Sequence, residues 1–161
     1  MTRGSGRDGS MHVKRAAAAG AIATGVMTAL WLVEPAVGLP NIAVGQILST
    51  FMSVSVAHLH VGIGGGWIVH VCVGVVLALI YARVFAARLP GPPAARGALY
   101  GTMVFVVAQL VFMPLVGAGV FSRGDVEFLV GSLLGHLAYG VVMAWIYTLP
   151  EESAARVPRA T

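Results

Sequence analysis

Residues 64–86 read GGGWIVHVCVGVVLALIYARVFA, with Arg83 the single formal charge among them. A helix needs about 20 apolar residues to cross the hydrocarbon core of a bilayer, and this run supplies them. Working outward, the runs at 16–37, 97–119 and 127–148 meet the same requirement. Composition points the same way: 58% of the 161 residues are hydrophobic and 10% are charged. A soluble domain carries about 25% charged residues on the surface it shows to water. No charge at all falls between Pro35 and Ala82. The expected fold is an all-α membrane protein of four transmembrane helices, with the lipid bilayer as its first partner.

Charge distribution sets the expected orientation. With four spans, Arg3, Arg7, Lys14, Arg15, Arg83, Arg88, Arg96, Arg156 and Arg159 fall on one side and Arg123 alone on the other. That asymmetry places both termini and the central connection in the cytoplasm, as in a bacterial inner membrane. Counting the uncharged stretch 41–61 as a fifth span would leave five basic residues on each side, with no bias. Within that stretch Gln46, Ser49, Thr50 and Ser53 share one helical face, and Val44, Ile47, Leu48 and Phe51 the other. Segment 41–55 is therefore expected as a short amphipathic helix in the first outer loop. Trp31 and Trp67 near the outer ends, and Tyr81, Trp145 and Tyr147 near the inner ends, sit where interfacial aromatic belts belong. Residues 89–93, LPGPP, cannot continue a helix and form a stiff connection.

The ends and the charge exclude other classes. Residues 1–15 are expected as a disordered basic tail and 150–161 as a cytoplasmic tail. The charge-free stretch after Arg15 outruns a secretory h-region of about 7–15 residues, so it reads as an uncleaved first span, with Met11 an alternative start. The net charge of +4 does not indicate nucleic acid, because the basic residues flank spans instead of forming a face. Cys72 stands alone and cannot form an internal disulfide.

The chain also matches itself. HVCVGVVLALIY (70–81) aligns without gaps to HLAYGVVMAWIY (136–147), and PAVG (35–38) echoes PLVG (114–117). The chain reads as two tandem helical hairpins related by a pseudo-twofold axis along the membrane normal. His70, Gly74, Ala78 and Tyr81 lie on one helical face, and His136, Gly140, Ala144 and Tyr147 repeat it. Small residues on such a face let membrane helices approach closely.

These features resemble a group of small, uncharacterised bacterial four-helix membrane proteins. The residues carrying the resemblance are Gly66-Trp67-Ile68-Val69-His70, Ala78-Leu79-Ile80-Tyr81, the first span ending in PAVG, and the Pro-Gly linker. The resemblance covers most of residues 16–148 and implies the four-helix fold. It brings no activity with it.

Chemistry, if present, should lie with the histidines, since an ionisable residue inside a membrane is a functional hypothesis by default. The repeat puts His70 and His136 at equivalent positions in the outer half, and His58, His60 and Glu34 arrive at the same end. In the first reading each histidine bonds a neighbouring helix and serves as interhelical glue, and Glu34 sits at the wet interface. In the second, His70 and His136 hold a b-type haem and Gly74 and Gly140 make room for it, although no basic cluster awaits the propionates. In the third, His58 and His60 bind a transition metal with His70 or His136. A His-x-His spacing shares a face only in an extended segment. Ser122, Ser132 and Cys72 lack a base and an orienting acid, and residues 62–66 lack the Lys-Ser/Thr of a phosphate loop, so no enzyme class is indicated. Gln109 and Met113 either line a small pathway or pack. The expected function is a non-enzymatic bundle protein, a homo-oligomer or an accessory subunit of a larger membrane complex. A haem or metal redox protein is the alternative, and a small channel or transporter the next.

Overall fold

The computed structural model describes residues 5–56 and 59–149, and every regular element among them is helical. Helix α1 (Ser5–Val33) ends in a 3₁₀ turn, Glu34–Val37. After α2 (Val44–Ser55) comes α3 (Gly62–Phe85), whose last turn, Tyr81–Phe85, is a π-helix. Helix α4 (Pro93–Leu115) carries a π turn at Ala108–Phe112, and α5 (Val126–Thr148) follows a 3₁₀ turn at Val120–Gly124. By length and composition α1, α3, α4 and α5 are able to cross a membrane, as in a multi-pass membrane protein.

Local sequence explains the boundaries. Pro93 starts α4 at a position where its missing N–H is no loss. Asp125 caps α5 by accepting from the Phe128 N–H at 3.0 Å. Helix α1 begins at Ser5, so it takes in residues 5–15, which the composition assigns to a disordered tail. No proline interrupts that stretch, and extending an existing helix by one residue costs far less than nucleating one. The expected tail at 150–161, and His58, lie outside the described residues.

Packing follows the small residues. Helix α1 lies against both α3 and α5, α4 lies against α5, and α2 rests on α3. A Cβ added at Gly20 would sit 2.7 Å from that of Ala78, and one at Gly97 would sit 2.7 Å from Val141 Cα. Such contacts need glycine, because two backbones touch there. No comparable packing joins α3 to α4. They are tied only at their ends. Near the 86–92 connection (the linker end) the Tyr100 hydroxyl donates to Leu77 O at 2.7 Å, and Arg96 Nη1 donates to Ala86 O at 3.1 Å. At the opposite, loop end α2 spans the gap, with its Phe51 ring 4.6 Å from that of Phe112.

Candidate functional site

Between α3 and α4 lies a cleft of about 620 Å³. Val69 and Val73 of α3 face Val104 and Ala108 of α4 across it, and Val44, Ile47 and Leu48 of α2 close its loop end. The walls are almost wholly apolar. The floor comes from the central pair: Thr24, Met27 and Trp31 of α1, with Ser132, His136 and Tyr139 of α5.

Trp31 organises that floor. Its indole stacks on His70 with centroids 5.7 Å apart, meets His136 edge-on at 6.1 Å, and donates Nε1–H to Gly131 O at 3.2 Å. His136 Nδ1 lies 2.7 Å from Ser132 O; a carbonyl only accepts, so that nitrogen carries the hydrogen. Beside it Ser122 donates to Gln109 Oε1 at 2.9 Å, and Gln109 Nε2 donates to Ser132 Oγ at 3.2 Å. Two devices make this chain possible. The π turn in α4 carries Gln109, and Phe121, Ser122 and Arg123 adopt a left-handed turn (φ 44, 48 and 55°) that such residues hold only when their surroundings impose it. Tyr139 closes the floor by donating to Gly74 O at 2.6 Å.

The sequence-derived candidates fall into distinct places. His70 and His136 both line the cleft and both touch Trp31, but His70 Nε2 is buried with no hydrogen-bond partner. Gly74 abuts Thr24 of α1, and a Cβ there would lie 3.1 Å from Thr24 Cβ. Gly140 abuts α4, and its Cβ would lie 2.9 Å from Gly101 Cα. The space beside each glycine is therefore taken by a neighbouring helix. His60 is exposed in the α2–α3 connection, and among the described residues no three His, Cys, Asp or Glu side chains gather as a metal site.

Three placements differ from the sequence expectation. Trp31 and Tyr81, expected at membrane interfaces, are 5% and 0% exposed, because each ring packs inward against neighbouring helices. Glu34, expected at a wet interface, is 2% exposed, with one oxygen against Gly131 and neither oxygen hydrogen-bonded. Sequence reading also missed that Gln109, Ser122 and Ser132 form one chain. The available signal was the presence of Gln109 and Ser132 in otherwise apolar spans.

No curated protein and no solved structure matches the chain. Residues 11–156 match a family described as a family of unknown function (DUF6789), a match that takes in all four membrane-length helical segments. The chain belongs to that family, DUF6789.

Proposed function

We propose that this protein is a non-enzymatic intramembrane binding protein that takes one lipophilic molecule into the cleft between α3 and α4. The cleft itself carries the reading. Helices in lipid associate through van der Waals packing, so a lengthwise gap between two helices tied at both ends forfeits contacts that an apolar guest restores. A volume of about 620 Å³ lies within the range of about 300–1,000 Å³ typical of small-molecule sites. Among the residues lining the gap are Val69, Val73, Val104 and Ala108, whose short side chains leave room between the two helices.

The charge asymmetry supports a bacterial inner-membrane location with the termini and the linker end in the cytoplasm. A duplicated hairpin is supported by the parallel roles of Gly74, packed on α1, and Gly140, packed on α4. Under that duplication the tight α1–α5 contact corresponds to the open α3–α4 gap, so the cleft sits where the two halves diverge. A role as accessory subunit is compatible with this, the bound molecule being what the bundle presents to a partner.

Filling the cleft from both walls tests the reading. Wild-type protein in detergent should bind a fluorescent apolar probe with one-to-one stoichiometry, and V73F/A108F should bind it at least about tenfold more weakly. Equal binding by the two proteins would sink the proposal.

Haem is the second reading, favoured by the position of His70 and His136 on one cleft and one indole. The lipophile reading expects no Soret band before or after dithionite. A Soret band that disappears in H70A/H136A would put haem in its place.

A further inference from the structure

At the linker end the cleft terminates on Phe85 and Tyr100, whose ring centroids are 5.2 Å apart. Arg96 lies one turn before Tyr100 on the same face of α4. Its Nη1 bonds Ala86 O, while its Nε is buried without a partner. Tyr81 packs on Tyr100 at 5.2 Å and is 0% exposed, and its hydroxyl also has no partner. Helix α4 starts there with no side-chain cap, so the N–H groups of the exposed Ala94 and Ala95 have no acceptor within the helix. Arg83 and Arg88 are exposed at this end as well. The loop end offers Arg123, which is exposed and donates to Gly117 O at 2.9 Å. From Tyr100 to Met113, both lining the cleft, α4 advances about 20 Å at ~1.5 Å per residue. An apolar trough of that length, with unpaired donors packed just behind its Phe85–Tyr100 end, matches a hydrocarbon chain carrying an anionic oxygen head once that end opens to admit it.

We propose that the molecule held in the cleft is a phosphate-headed lipid, its chain between α3 and α4 and its phosphate beside Arg96 and Tyr81. This assignment rests on the cleft being a binding site. Phosphate suits the end better than a carboxylate because guanidinium, phenol and helix N–H groups are separate donors, and phosphate offers enough oxygens to serve several of them.

Trp31, on the cleft floor, is the reporter. In a W67F/W145F background it is the one tryptophan left, and phosphate-free maltoside micelles remove competing heads. Phosphatidylglycerol with brominated chains should quench Trp31 saturably, and brominated diacylglycerol should do so more weakly. R96Q should weaken the phosphatidylglycerol effect about tenfold and the diacylglycerol effect far less. Soluble glycerol phosphate should not compete. If both lipids quench equally and R96Q changes neither, the head assignment fails while the cleft reading stands. Displacement by glycerol phosphate overturns it in favour of a free-phosphate site. No saturable quenching by either lipid would remove the cleft reading as well. The two-lipid comparison needs no change at Arg96, so it decides the matter even if R96Q does not fold. Mass spectrometry of retained lipid on the wild-type chain gives the same answer with no substitution, preferential retention of phosphatidylglycerol over diacylglycerol supporting the assignment and equal retention overturning it.

Discussion

Replacing Trp31 by alanine should lower the unfolding free energy by about 3–5 kcal/mol, the largest effect expected of any single side chain in the bundle. The indole is 5% exposed and touches His70 and His136, so its removal opens a void at the centre of the floor. Gly135 shows how closely the surroundings fit it, since a Cβ there would lie 2.6 Å from Trp31 Cε2. The Gly131 carbonyl loses its donor at the same time. W31F keeps a ring and loses the hydrogen bond, so it should cost less, with about 1 kcal/mol from the bond itself. Unfolding by titration with a denaturing detergent, followed by circular dichroism, reads both. A W31A protein as resistant as wild type would contradict the central place given to this residue.

The α4–α5 contact should be nearly as sensitive. G140V places a branched side chain against the Gly97 carbonyl and Gly101, and the obstacle is backbone that cannot rotate away. Overpacking of this kind costs about 1–3 kcal/mol when side chains can adjust, and a backbone obstacle puts the cost at the upper end. G97V strikes the same interface from the other side, so the double variant should cost less than the sum. Gly25 is the control: nothing lies within 4 Å of a Cβ added there, and G25A should stay within about 0.5 kcal/mol of wild type. The same detergent titration separates the cases. Equal resistance of G140V and G25A would mean that α4 and α5 do not approach as closely as described.

Residue by residue, the sequence was a good guide to faces and a poor one to depth. The polar side of α2 was legible from Gln46 and Thr50, which are exposed, and its apolar side from Val44 and Leu48, which are buried. The face formed by His70, Gly74, Ala78 and Tyr81 is buried along its whole length. Trp31 and Tyr81 misled because an aromatic ring near a span end is equally apt for an interface or a core. Only the neighbouring helix decides which. For Trp31 the deciding neighbours are Gly131 and Gly135 of α5, a hundred residues away in the chain. Gln109 was visible as a polar residue in an apolar span, but its partners, Ser122 and Ser132, are brought to it by a π turn and a left-handed loop that no periodicity announces.

What the sequence alone determined is the set of four apolar helices, their lengths and which faces carry small residues. These follow from composition and from the 3.6-residue period, both of which are local properties of the chain. What only the tertiary structure decided is which helices touch. Helices α1 and α5 close on each other, α3 and α4 do not, and the cleft with its histidines and Trp31 exists because of that difference. Packing in lipid is settled by the summed fit of many weak contacts between segments far apart in sequence, and no single segment carries that sum.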